Sequence, residues 1–227
     1  TDGGELFAVK TGDSKSLFSV NETGAIGCGT TDSSTVALRQ ANNIAIGDHD
    51  SLDNVTTAAA NVVIGNAPRS GVDTPGYLLS TGSRNVVIGN RAGEESTTTE
   101  DTVIIGYIAG CVGVAGNHQV LIGRGAGTSS TGAYNVAIGS HAMYDCTGSN
   151  NVAIGRLALD AGGVADDSVA IGFEALTAAT GDDNIAIGYE AGDGVSTGEG
   201  NLVLGYEADC VADANYQIAL GYQVVAA

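Results

Sequence analysis

The sequence predicts an all-β chain, a parallel β-solenoid (β-roll) of about eleven coils of 16–17 residues, with an N-terminal β-hairpin cap. Three observations carry that expectation. The unit Asn-Val-Ala-Ile-Gly stands at 135–139 and again at 151–155, and variants of it recur through most of the chain. Its closing glycines, from Gly47 to Gly221, come at short and nearly constant intervals. The 227 residues hold 35 glycines and only 2 prolines, about twice the usual glycine share.

The first 40 residues differ from the rest and form a hairpin or collar segment, leaving 41–227 as the repeat domain. Leu6–Val9 and Leu17–Val20 are two short runs of strand type, separated by Thr11-Gly12-Asp13-Ser14, which reads as a turn. A cap at this end is expected because a bare first coil leaves an edge of unpaired backbone groups.

Eleven closing glycines follow: Gly47, Gly65, Gly89, Gly106, Gly123, Gly139, Gly155, Gly172, Gly188, Gly205 and Gly221. After Gly89 the intervals are all 16 or 17 residues, and the first two are 18 and 24. Such a period is too short for a strand, a crossover helix and two loops. Two short strands and two turns fit it, and successive coils then stack at about 4.8 Å.

Positions are numbered below from the closing glycine of each repeat, taken as zero. Positions −3 and −1 are always Val, Ile or Leu, as in Val136/Ile138 and Val152/Ile154. Alternation places them on one face, expected to be the coil interior. Position −2, from Ala45 to Ala219, is also never polar. A strand apolar on both faces is buried on both, so position −2 is expected to face another copy of the chain. Position −4 carries the hydrogen-bonding residues Asn43, Asn61, Asn85, Asn135, Asn151, Asn184 and Asn201, with Thr, Gln or Ser in the other repeats. Stacked at one coil spacing these form a structural Asn ladder. Alanine at +3, unbroken from Ala92 to Ala208, suits a second, tightly packed strand.

Charge and motifs exclude more than they assign. With 26 Asp plus Glu against 8 Lys plus Arg, the formal charge is −18, which repels nucleic acid. No apolar run has the length of a membrane span, so membrane insertion is not expected. The chain opens on Thr1 and ends soon after its last repeat begins, so a processed chain or a fragment is expected. The four cysteines, Cys28, Cys111, Cys146 and Cys210, have no CxxC spacing, and free, partly buried thiols are expected. The acid pairs Glu94-Glu95, Glu100-Asp101, Asp166-Asp167 and Asp182-Asp183 are adjacent in sequence. Glycoside hydrolysis needs two carboxylates facing each other across a bond, so no catalytic residue and no enzyme activity is expected. No cofactor or metal is assigned, with calcium in the acidic turns as the alternative use of those carboxylates. His49 and His141 each follow a repeat glycine by two positions, and His118 stands apart; all three read as solvent-facing.

Two features break the pattern. The 24-residue interval holds both prolines and Tyr77; an insertion there should project, which makes Arg69, Asp73 and Tyr77 the candidate receptor-binding residues. Position +1 becomes aromatic in the last four repeats, giving a ladder of Phe173, Tyr189, Tyr206 and Tyr222.

The NVAIG units with their following alanine resemble the head repeats of trimeric autotransporter adhesins, and similar repeats in the tail fibres of phages and other large DNA viruses. The stretch Leu17–Thr31, LFSVNETGAIGCGTT, is closer to the fibre pattern. The period of 16–17 is slightly longer than that of the adhesin heads. The resemblance implies a left-handed β-roll wound as a homotrimer, extracellular, on a virion tail fibre or cell-surface appendage. It implies multivalent, non-catalytic attachment to a host cell-surface glycan or protein. A purely structural shaft with its binding tip elsewhere, or an adhesin head, are the alternatives.

Overall fold

The computed structural model describes residues 59–65, 81–96, 98–113, 116–160 and 163–226 in full, and four N-terminal strands by their backbone. It is all-β, a single parallel solenoid that winds about eight turns of about 17 residues. Strand β1 (Glu5–Lys10) pairs antiparallel with β2 (Ser16–Asn21), and β2 pairs antiparallel with β3 (Ile26–Cys28). The turn expected at Thr11–Ser14 lies outside the described residues. From β3 onward every pairing is parallel and sequential. The strands are β4 (Ile44–Gly47), β5 (Val62–Gly65), β6 (Val86–Ile88), β7 (Val103–Ile105), β8 (Val120–Ile122) and β9 (Val136–Ile138). They continue as β10 (Val152–Ile154), β11 (Val169–Ile171), β12 (Ile185–Ile187), β13 (Leu202–Leu204) and β14 (Ile218–Leu220).

Register is uniform along the stack. Val136, Val152, Val169 and Ile185 lie side by side, as do Ala137, Ala153, Ala170 and Ala186. Each strand contributes one repeat position to each row, so a residue's position fixes its neighbours above and below.

The two faces of the strand are the reverse of the sequence expectation. Position −2 fills the coil: Val63, Val87, Ile104, Leu121, Ala137, Ala153, Ala170, Ala186, Val203 and Ala219 are all buried. Positions −3 and −1 point out of it, and Ile154, Ile185, Ile187, Ile218 and Leu220 are exposed. The cause is the width of the coil. The other wall is turn and not the second strand expected there; it carries the buried +3 alanines, Ala92 to Ala208, and the space between holds one side chain per strand. A three-residue strand that alternates can point either its middle residue or its two outer ones inward, and a narrow interior selects the single one.

Interior volume is shared between −2 and +4. Where −2 is Ile104 or Leu121, +4 is Gly110 or Gly127. Where −2 is Ala137, Ala153 or Ala170, +4 is Met143, Leu159 or Leu176, each fully buried. A Cβ on Gly127 would sit 2.6 Å from Leu121 Cδ2. Close packing of this kind is felt at the level of single methylene groups.

The corners require left-handed backbone. The closing glycines have φ near +140°, as at Gly139 (+140°) and Gly155 (+141°), and a Cβ there would collide with the carbonyl of the next coil's glycine. Positions −5, +2 and +4 also have positive φ, and most are not glycine: Tyr134 (61°), His141 (57°) and Met143 (52°) occupy all three in one coil. Each costs about 1 kcal/mol; the Tyr134 and His141 N–H groups bond the preceding coil, at Asn117 O and Arg124 O, and the Met143 N–H bonds the next, at Ala158 O.

Candidate functional site

Four rows of side chains run along the solenoid axis, and together they account for every site residue named from the sequence that lies within the described part. The first is the row at −4. Asn61, Asn85, Asn135, Asn151, Asn184 and Asn201 are buried, with Thr102, Gln119 and Ser168. Their side chains bond mainly backbone groups of the adjoining coils, and Asn85 Nδ2 also donates to Asn61 Oδ1 at 3.1 Å. The Ser168 N–H donates to Asn151 Oδ1 (2.8 Å), Asn151 N–H to Asn135 Oδ1 (2.9 Å), and Asn201 N–H to Asn184 Oδ1 (3.0 Å). The Nδ2 groups donate to carbonyls of the adjoining turn, as Asn151 does to Ala165 O at 2.6 Å and Asn135 to Gly148 O at 2.8 Å. Each Asn thus satisfies one donor and one acceptor that would otherwise be buried unpaired. Gln119 is longer and turns its amide into its own coil, onto Gly116 O and the Ser130 hydroxyl. Asn43 lies outside the described residues.

A second ladder stands at −6, with the opposite sense. There the side chain accepts from the preceding coil: Ser149 N–H donates to Asp166 Oδ1 (2.6 Å), Asp166 N–H to Asp182 Oδ1 (2.8 Å), and Glu199 N–H to Asn215 Oδ1 (2.8 Å). This explains the acid pairs. Asp166 and Asp182 bond the backbone, and Asp167 (φ 53°) and Asp183 (φ 60°) occupy the left-handed position that Asp and Asn tolerate best. At the third pair Asp101 lies beside Arg84, bonded at 2.6 and 2.7 Å, with Glu100 at 3.0 Å from the same guanidinium. The bonded Arg84 holds the Asp101 carboxyl below its ordinary range.

The aromatic row is a continuous stack. Phe173 to Tyr189, Tyr189 to Tyr206 and Tyr206 to Tyr222 have ring centroids 5.1, 4.9 and 5.3 Å apart, with planes within 11° of parallel. Arg156 lies over Phe173, 5.2 Å from its centroid. The rings cover one another's faces, so what the stack presents sideways is edges and hydroxyls. A sugar platform needs ring faces, and this ladder does not offer them between its members. The Tyr189 hydroxyl bonds Glu190, which with partial burial pushes it up to about 12, and Glu207 raises Tyr206 in the same way.

The fourth row is the outward aliphatic pair at −3 and −1. It forms two parallel ridges of Val, Ile and Leu across β5–β14 in uniform register. At about 4.8 Å per strand and about 3.3 Å per residue the face measures roughly 45 by 10 Å, about 450 Å². That is as large as the biggest apolar patch of an ordinary monomer, and such patches are often functional.

Cys111, Cys146 and Cys210 are buried free thiols; burial, with Glu94 beside it, pushes Cys111 up to about 12. No cluster of three metal-ligating side chains exists among the described residues, and no helix there is long and apolar enough to cross a membrane. Arg69, Asp73 and Tyr77 lie outside the described residues. The chain matches no protein-family model, and no curated protein or solved structure is similar to it.

The sequence left three of these features unread: the −6 ladder, the exchange of volume between −2 and +4, and the inward face. The first two had signals. Position −6 is rich in Ser, Asn and Asp, and +4 is Gly only where −2 is not Ala or, at Ala186, where Val195 supplies the missing bulk.

Proposed function

We propose that the chain is the shaft of a self-assembling fibre that attaches a larger particle or cell to a surface by multivalent, non-catalytic binding. The observation that supports this reading is the outward aliphatic face. Ridges of Val and Ile repeated every coil match best a surface with the same repeat, and another copy of this chain supplies one. We take the assembly to be a homotrimer of these solenoids, capped by the N-terminal hairpin and displayed outside the cell or virion. Three identical binding surfaces on a rigid rod convert weak contacts into avidity, provided they can engage together.

The test is attachment of the fluorescent-labelled assembly to host cells, compared with its Tyr77→Ala variant. Attachment that falls while the assembled mass is unchanged supports recognition by the 66–80 segment. A second reading, a structural shaft alone, is supported by the number of repeat positions already committed to bonding between coils. It requires that the wild-type assembly attach to no surface.

A further inference from the structure

Positions +1 and +2 form a two-row strip beside the corner glycines, and its charge is sharply divided. Over the five coils closed by Gly89 to Gly155 the strip reads Asn90-Arg91, Tyr107-Ile108, Arg124-Gly125, Ser140-His141 and Arg156-Leu157. These ten residues contain three of the chain's 8 cations and none of its 26 carboxylates. The next three coils add Glu174, Glu190 and Glu207 in the same row. In a chain of net charge −18, these two rows carry no carboxylate of their own over about 20 Å, although Glu94, Asp160 and Glu174 lie beside Arg91, His141 and Arg156.

The cations in it are not equivalent. Arg91 is paired with Glu94, and Arg156 lies 3.6 Å from Glu174 and over Phe173. Arg124 is exposed and has no carboxylate partner among the described residues. On the coil before it stands Tyr107, 49% exposed. On the coil after it stands Ser140, whose Oγ lies 3.0 Å from His141 Nδ1. The His141 ring extends over Gly125, where an added Cβ would meet its Cδ2 at 3.0 Å. Along the axis the strip therefore offers an exposed ring, a guanidinium with no carboxylate partner among the described residues, a hydroxyl with an imidazole, and a second guanidinium that Glu174 already attends. Each is one coil, about 4.8 Å, from the next.

We infer that this strip, centred on Arg124 with Tyr107, Ser140, His141 and Arg156, binds an acidic polysaccharide running along the solenoid axis. Sugar rings are comparable in length to one coil, so successive residues meet successive coils. The guanidinium groups take carboxylate or sulfate with charge-assisted hydrogen bonds, Tyr107 packs against a ring, and Ser140 and His141 bond hydroxyls. The acidic remainder of the surface repels a chain that lies anywhere else. The inference rests on the attachment reading above and names the class of receptor.

Isothermal titration of the full assembly tests it with three hexasaccharides: a heparin fragment, an oligogalacturonate and neutral cellohexaose. Binding of either acidic probe, weakened about tenfold by Arg124→Gln and steeply by added salt, is the expected result. The two acidic arms separate sulfate from carboxylate recognition. Binding of neither, equal binding of cellohexaose, an unchanged affinity in Arg124→Gln, or tighter binding of a single-stranded DNA hexamer would each overturn it. The Arg124 side chain has no ion-pair or hydrogen-bond partner among the described residues, so its variant should fold, and circular dichroism checks that it does. Cell attachment is measured in parallel. If it survives in Arg124→Gln, the strip is refuted while the attachment reading stands; if the wild type attaches to nothing, the attachment reading itself falls.

Discussion

Replacing Asn151 by Ala removes one rung of the buried −4 ladder, and the cost can be worked from its bonds. Asn151 is fully buried. Its Oδ1 accepts the Ser168 N–H at 2.8 Å, and its Nδ2 donates to Ala165 O at 2.6 Å. Truncation leaves that N–H and that carbonyl without partners in the interior, at about 1–3 kcal/mol each. The expected loss is therefore about 4 kcal/mol, a large fraction of the ~5–15 kcal/mol of a whole domain. Asn151→Ser should lose about half as much, because a hydroxyl can still accept from the next coil, as Ser168 does for Asn184 at 3.1 Å. Asn151→Asp keeps the acceptor and turns its second oxygen toward the Ala165 carbonyl, which only a protonated carboxyl can bond. Its folded pKa should rise above the unfolded ~3.9. A group with a raised folded pKa stabilises fully below the unfolded value and loses that contribution as pH rises through the folded one. The Asp variant should therefore lie closer to wild type at pH 4 than at pH 7. Urea unfolding followed by circular dichroism measures all three. A loss below about 1 kcal/mol for Ala, or equal losses for Ala and Ser, would refute the ladder as a source of stability.

Three further outcomes follow from the packing. Gly155→Ala places a Cβ at φ +141° against the Gly172 carbonyl, and should cost about 3 kcal/mol or more; a thermal midpoint within a degree or two of wild type would contradict the corner assignment. Leu121→Ala should lose about 2–5 kcal/mol, and adding Gly127→Leu should recover much of it by recreating the Ala153/Leu159 arrangement of two coils later. The two changes would be independent in a double-mutant cycle if the coil interior were not shared. Cys111, with its thiol pushed up to about 12, should react with iodoacetamide at pH 8 more than a hundredfold more slowly than an ordinary thiol of pKa ~8.5; mass spectrometry showing alkylation at the ordinary rate would overturn its burial beside Glu94.

The solenoid was legible in the sequence because each coil repeats one short word, and periodic glycines cannot be reconciled with helices at this spacing. The inward face was not. Val136 and Ile138 look like core residues beside Ala137, and only the width of the coil, set by the +3 alanines across from it, decides that Ala137 goes in. Alternation in sequence gives two faces and leaves open which one is the interior. The Asn row was visible as a row, yet its partners are backbone groups of the next coil, which a list of side chains does not display. Asp166 and Asp182 read as exposed acids because their bonds to Ser149 and Asp166 N–H cross between coils. The cationic strip was missed for a related reason. Arg124, Ser140 and Arg156 are sixteen residues apart in the chain and become neighbours only when coils are stacked.

The −2 row serves the chain's own interior, so we propose the outward −3/−1 pair as the face that meets a neighbouring copy. Multi-angle light scattering on the wild type and on Ile154→Glu/Ile171→Glu tests this most directly. The account predicts a wild-type mass three times the 22.5 kDa of the chain, falling to that of the monomer in the variant with its circular dichroism unchanged. A wild type that stays monomeric up to high concentration, or a variant that keeps the assembled mass, would contradict it.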